Sequence, residues 1–326
     1  MQPNKIVYLL GAGATHAEIF NLVDSPSVTY LSKYGLLIRH VSQRVINSAQ
    51  KSSGFKKNAE LVTSAEGSLN IELLISLFES SRIVGSENKV STLKKLVRED
   101  IENILTKYRM NRFYLHKALF ELHQFIIKNE DLLGVISLNY DNVLDDAFRV
   151  IHSHPPNYNF TSERGDNLPL LKLHGSFNWK KINIYGNKRE IPIIPLGMNK
   201  NYLFPPYNFI WSRAFEILVN CDVLRIIGCS LNSNDIGLID LLFKAHLHRN
   251  NDLEIQIIDS MIVHENIKQN YGFFNKLVGI EDIEKPMIAD VLSPDTGNPF
   301  KTWLKSKALK MLNEDITKTR FLKKCL

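Results

Sequence analysis

Five short apolar runs, each closing on a small or polar turn, constrain the fold of this chain more than any other feature. Residues 6–10, 134–138 (GVISL), 170–173 (LLKL), 223–227 (VLRII) and 253–258 (LEIQII) are rich in Ile, Leu and Val with little alternation. Strands covered on both faces of a parallel sheet read this way. Helical patterns lie between the runs. Over 91–107, Leu93, Leu96, Val97, Ile101, Ile104 and Leu105 share one face, and 114–128 repeats the pattern. Shorter helices are expected over 208–220 and 235–248. Strands alternating with helices imply an α/β fold with a doubly wound parallel sheet.

The first two runs are about 120 residues apart, far more than a strand-to-strand crossover needs. This interval reads as helical, with polar loops around 47–57. The expected organisation is therefore a Rossmann-like domain made of 1–29 and 131–290, a helical insertion over 30–130, and a basic helical tail over 291–326. In the tail, Trp303, Leu304, Met311, Leu312, Ile316, Phe321 and Leu322 stand among many lysines. Its charge reads as a solvated helix face rather than as a DNA-binding arm.

Composition narrows the classes further. At 326 residues, 44% hydrophobic and 23% charged, the chain is neither disordered nor a small disulfide scaffold. No run approaches the ~18 apolar residues that span a bilayer, so a cytoplasmic protein without a signal peptide or membrane contact is expected. The net charge of +6 permits nucleic acid as a direct partner without demanding it. Cys221, Cys229 and Cys325 are too far apart for a Cys-x-x-Cys metal pair, and no metal is expected.

Chemistry-bearing residues gather at the ends of the runs. Gly11-Ala12-Gly13-Ala14-Thr15 follows the first and forms a glycine turn through which backbone N–H groups and a helix N-terminus can approach a phosphate. Such turns also serve only to connect strand to helix tightly. Asn139-Tyr140-Asp141 follows the second run; either residue flanking Tyr140 can act at a site or simply cap a turn and a helix. His174-Gly175-Ser176 ends the third, Gly228-Cys229-Ser230 the fourth, and Asp259-Ser260 the fifth. Parallel strands bring all of these to one sheet edge, where doubly wound folds place ligands. Gly228 and Ser230 suit ribose or phosphate contact, and Asp259 a ribose hydroxyl. Other histidines read as structural: His246 and His248 at a helix end, His152 and His154 in a Pro-Pro loop, and His16 on a helix surface or against a substrate. Trp179 and Trp211 read as core or subunit contacts.

VYLLGAGAT, ISLNYDNVLDDA, LLKLHGSFNW and LRIIGCSLNSND, in this order, make the chain resemble the sirtuin-like NAD-binding family, and within it the zinc-less bacterial branch of antiphage defence. The resemblance implies a Rossmann-like domain whose residues Gly11 to Thr15 hold the NAD diphosphate. It also implies Asn139 and His174 as the catalytic pair, Asp141 at the nicotinamide amide and Ser230 at the adenosine side. Protein-deacylating sirtuins carry a four-cysteine zinc module and a Gly-Ile-Pro-x-Phe-Arg stretch; here HAEIFNLVDSPS stands in place of the latter and no Cys-x-x-Cys exists. Deacylation is thereby disfavoured.

The expected activity is NAD+ glycohydrolysis, with NAD+ as substrate, nicotinamide and ADP-ribose as products, and abortive infection as the setting. The alternative is a non-catalytic NAD- or ADP-ribose-binding subunit that regulates a defence complex. Control is expected through homo-oligomerisation or through a partner such as a HerA-type ATPase, an Argonaute-like protein or a phage component.

Overall fold

The computed structural model describes residues 2–22, 27–50, 70–80, 86–108, 112–163, 165, 167–179, 182–183, 189–190, 192–194, 201–232, 235–249, 253–260, 263, 267, 298–310 and 319–325. Strand β1 (Asn4–Leu10) leads into helix α1 (Ala12–Leu22). Then come α2 (Val28–Tyr34), α3 (Ile38–Gln50), α4 (Ile71–Ser80), α5 (Ser86–Tyr108) and α6 (Leu115–Glu121), the last continuing through a wider turn to Ile126. Strand β2 (Glu130–Ser137), helix α7 (Val143–His152) and strand β3 (Leu170–Lys172) follow, then a small antiparallel pair, β4 (Ile182–Asn183) and β5 (Arg189–Glu190). Helix α8 (Tyr207–Asn220), β6 (Val223–Ile227), α9 (Ile236–Leu247) and β7 (Glu254–Ile258) complete the alternation, and α10 (Pro299–Lys310) and α11 (Leu322–Cys325) form the tail.

The main sheet has the order β3-β2-β1-β6-β7, and every pair in it is parallel. This is the Rossmann-like doubly wound arrangement that the five apolar runs imply. Both faces are covered, which is why the strands scarcely alternate. Val7, Leu9, Ile136, Leu171, Leu224, Ile226, Ile255 and Ile257 point into one core with α8 and α9. Ile6, Tyr8, Leu10, Val135, Leu170, Val223, Ile227 and Ile258 point into another with α6, α7 and α10. At about 25 cal/mol per Å2 of apolar surface, these two layers are the main source of fold stability.

Helices α3, α4 and α5 build a third core from Val41, Val45, Ile46, Leu74, Ile75, Leu93, Val97, Ile101 and Leu105. Ile19 of α1, Tyr140, Val143 and Phe177 belong to the same cluster, so the helical segment is seamed onto the strand-end loops. Asn47 is helical because α3 extends to Gln50; the remainder of the polar loop expected there, 51–57, lies outside the described residues, as do Met311, Leu312, Ile316 and the boundary near 290.

The apolar reading of the fourth run hides one charge. Arg225 sits fully buried in the middle of β6, and its guanidinium donates to Glu130 (2.5 and 2.6 Å), Gln256 (2.7 Å) and the Tyr8 hydroxyl (3.0 Å). Near-complete pairing is what makes a buried charge tolerable. Trp303 of α10 closes over it with its ring 5.5 Å away. The tail therefore docks by one face, through buried Phe300, Trp303, Leu304 and Ala308, and Glu121 accepts the backbone N–H groups of Arg320, Phe321 and Leu322 at the start of α11. Among the described residues no helix is long and apolar enough to cross a membrane.

Candidate functional site

Neighbouring strands β1 and β6 continue toward opposite sides of the sheet, β1 to β2 and β6 to β7. Such a switch point opens a crevice at the carboxyl ends of the strands. The two glycine turns meet there, backbone to backbone. Gly11 donates its N–H to Ile227 O (3.0 Å), Gly13 to Gly228 O (2.8 Å) and Ala14 to Gly11 O (3.0 Å). Gly228 adopts φ +61°, and a Cβ on it would lie 2.1 Å from the Ala14 nitrogen, so only glycine satisfies both the conformation and the contact. The packing also limits the turn chemically. Three of its N–H groups already have acceptors, which leaves the start of α1 at Ala12 as the part able to face an anion.

Asn139 leaves the end of β2 beside this turn. Its side-chain Nδ2 donates to Gly11 O (2.9 Å) and to Thr15 Oγ1 (3.0 Å), bracing the glycine loop from the neighbouring strand. Among the described residues the carboxamide oxygen accepts no hydrogen bond, and the residue keeps 7% of its surface exposed.

His174 follows β3, whose register with β2 is held by the Leu173 N–H to Ser137 O bond of 3.0 Å. Gly175 turns the chain with φ +84°, and a Cβ there would strike Pro192 O at 1.9 Å. The imidazole Nε2 lies 3.1 Å from Asp235 Oδ2, with both side chains buried. No donor is aligned on Asp235 Oδ2, so the contact is a close approach rather than a directed hydrogen bond, and it becomes an ion pair when His174 is protonated. Burial by itself lowers the His174 pKa. The Asp235 carboxylate, the Glu72 carboxyl and the Leu138 backbone outweigh it, and the net shift is upward. Asp235 is at the same time the N-cap of α9, accepting from the Leu238 N–H at 3.1 Å.

Behind His174 stands a second acid. Glu72, in the first turn of α4, accepts a hydrogen bond from the Tyr140 hydroxyl (2.8 Å), whose oxygen is also 3.1 Å from Ile194 O. Burial pushes the Glu72 carboxyl up to about 7, against the opposing effects of Tyr140 and His174. Beneath these groups, fully buried Lys172 ties the loops together. Its Nζ donates to Asp145 (2.7 Å), Ser176 Oγ (2.7 Å) and the Asp141 carbonyl. Asp145 is also met by the Tyr158 hydroxyl and by Asn178 Nδ2 (3.2 Å). One ammonium thus joins β3, the start of α7 and the turn after His174.

Asp141 lies in the same loop, and its Oδ1 accepts the Val143 N–H (2.9 Å), closing an Asx turn just before the N-cap Asn142 of α7. Ser230 is exposed beside the glycine turn, and Asp259 lies at the end of β7, where burial raises its carboxyl to about 6 and its Oδ1 accepts the Ser260 N–H (2.7 Å). Trp211 packs in the core and donates to Leu173 O (3.0 Å), and Trp179 packs against Tyr158 and Phe160. His248 closes the end of α9 on Lys244 O (2.8 Å). Among the described residues no group of three or more His, Cys, Asp or Glu could hold a metal ion.

His16 is not a surface residue. It is 6% exposed, and Nδ1 accepts the Leu36 N–H (3.1 Å), linking α1 to the helical segment. Burial, then the charges of His40, Arg39 and Arg44, lower its pKa to about 3. A histidine depressed in the fold contributes stability above its unfolded value near 6.5 that is lost as pH falls toward the folded value. His16→Gln, which keeps an acceptor for Leu36, should therefore flatten acid destabilisation by about 1.4 kcal/mol per pH unit over that window. Urea unfolding at pH 7 and at about pH 5 measures this, and equal pH slopes in the two proteins would show that the ring is charged in the fold.

Asp235, Glu72, Lys172 and Asp145 are the site's unanticipated members. Asp235 carries a readable signal, since Asn-Ser-Asn-Asp before an apolar helix marks an N-cap. Glu72 carries none, because it lies in a different segment of the chain. Lys172 looks like an ordinary strand lysine.

No family model matches the chain, and no curated protein matches it. Solved structures do. A Sir2 enzyme structure bearing on the mechanism and regulation of Sir2 enzymes covers 96% of this chain and 94% of its own, at 13% identity and a TM-score of 0.39. A Sir2 homologue in complex with ADP-ribose covers 95% and 94%, at 13% identity and a TM-score of 0.37. Sir2Af2 bound to a myristoylated histone peptide covers 96% and 94%, at 12% identity and a TM-score of 0.39. Likeness at this level decides neither activity nor ligand for this chain.

Proposed function

We propose that the chain is an NAD+ glycohydrolase whose turnover depletes NAD+ in antiphage defence, held in check by self-association or by a partner. The observation that carries the reading is the grouping of Asn139 and His174 on adjacent strand ends at the switch point, with Asn139 braced against the glycine turn and His174 Nε2 lying 3.1 Å from Asp235 Oδ2. The four motifs that resemble the zinc-less defence branch of the sirtuin-like family support the choice of NAD+.

Cleavage breaks the bond between ribose C1′ and the nicotinamide nitrogen, and the electron pair leaves with nicotinamide. The leaving group is already cationic, so no general acid is required. A water oxygen bonds to C1′ and gives up one proton, and the products are nicotinamide, ADP-ribose and H+. Positioning and electrostatics carry most of the barrier reduction. The Asn139 oxygen orients the water or a ribose hydroxyl, and neutral His174 takes the proton. Asp235 then stabilises the imidazolium. Because the His174 pKa is raised, the base form accumulates at higher pH than for an ordinary histidine, and activity should fall as pH drops through that raised value.

The test is nicotinamide and ADP-ribose release from NAD+ by purified protein, alone and with the products of neighbouring genes. Release supports the reading. NAD+ that raises the melting temperature yet is never cleaved under any of these conditions would leave a binding module in its place.

A further inference from the structure

Glu72 is a buried carboxyl that the cleavage chemistry leaves unused and that, unlike Asp145 with its Lys172 partner, is met by a neutral hydroxyl. It does not come from the sheet. It is carried in by α4, in the helical segment, and is held by the hydroxyl of Tyr140, the residue between Asn139 and Asp141. The Tyr140 ring lies 6.4 Å from the His174 ring and 5.8 Å from Phe177. The carboxyl, the phenol and the imidazole therefore form one buried stack that ends on Asp235.

Tyr140 has a single hydroxyl hydrogen, yet its oxygen is within hydrogen-bonding distance of both Glu72 Oε1 (2.8 Å) and the Ile194 carbonyl oxygen (3.1 Å). With Glu72 ionised, Tyr140 donates to Glu72 and the Ile194 carbonyl goes without that hydrogen. With Glu72 protonated, its O–H donates to the Tyr140 oxygen and Tyr140 donates to Ile194, so all three groups are satisfied. Protonated Glu72 with neutral His174 and ionised Glu72 with protonated His174 carry the same net charge.

We propose that Glu72 is a positioning residue for His174: carried by the helical segment and held by Tyr140, its carboxyl shares one proton with the imidazole and sets which form of His174 the site presents. Among the described residues, the other charged or titratable groups facing the stack are Asp235 beside His174, Tyr140 itself, and Glu79 about two turns along the same face of α4, which is paired with Lys94 at 2.6 Å. The consequence for turnover rests on the glycohydrolase reading, whereas the coupling itself does not. Any shift of α4 against the sheet would alter the His174 proton, which is a route by which an event at the helical segment reaches the sheet edge.

The experiment is titration of the histidine Cε1–H resonances by NMR in the full chain without NAD+, with the His174 signal assigned by its absence in His174→Gln. Glu72→Gln keeps an acceptor for Tyr140 but does not titrate, and should lower the His174 midpoint. Tyr140→Phe removes the hydroxyl that favours ionised Glu72 and should move the midpoint in the same direction, which keeps the proposal testable if one variant fails to fold. A merely structural Glu72 would leave the midpoint in place; an unchanged midpoint in a folded variant overturns the proposal. Where NAD+ is cleaved, the acid limb of the rate should move to lower pH in Glu72→Gln. Where it is not, a lowered midpoint still upholds the coupling, and only the glycohydrolase reading falls.

Discussion

His174→Ala is expected to reduce nicotinamide release about 100- to 10,000-fold, the range lost with a positioned general base, while NAD+ binding is nearly unchanged. The contrast with Asn139→Ala makes the assignment sharp. His174 makes no hydrogen bond to the glycine turn, whereas Asn139 braces that turn through Gly11 O and Thr15 Oγ1. Loss of Asn139 should therefore weaken NAD+ binding as well as turnover, and loss of His174 only turnover. Single-turnover rates and calorimetric binding separate the two. Undiminished release by folded His174→Ala would remove the imidazole from the mechanism.

The second large effect is on the fold. Lys172→Met is expected to destabilise the protein by about 3–5 kcal/mol, because it strands a fully buried carboxylate, Asp145, with only the Tyr158 hydroxyl and the Asn178 amide. The double replacement Lys172→Met with Asp145→Leu should recover much of the loss, since removing both charges removes the desolvation cost of each. Chemical denaturation of the two single variants and the double variant measures the coupling. A single variant as stable as the parent protein would mean that the pair contributes little. The same substitution frees Ser176 and the Asp141 carbonyl, so it should also loosen the turn after His174.

The strands were legible in the sequence because each is buried on both faces, and burial on both faces writes an apolar run whatever the neighbours are. The helices over 91–107, 208–220 and 235–248 were legible for the related reason that each has one covered face, and they appear as α5, α8 and α9. Arg225 shows the limit of such reading: its acceptors Glu130, Gln256 and Tyr8 come from three other strands, and no local pattern announces a charge satisfied at a distance. The docked face of α10 is similar, because Trp303 covers Arg225 only once β6 is inside the sheet.

By itself the sequence determined the parallel doubly wound sheet and the set of polar strand ends. Both follow from local periodicity and from the geometry of parallel strands, which sends every carboxyl end to one edge. Only the tertiary structure decided what those residues do to one another. It spent the N–H groups of Gly11, Gly13 and Ala14 on protein carbonyls, turned the Asn139 amide onto Gly11 and Thr15, closed an Asx turn on Asp141, and set Asp235 against His174 with Glu72 behind Tyr140. Hydrogen-bond partnership and pKa depend on distance and burial, and residues 72, 140, 174 and 235 become neighbours only when the chain has folded.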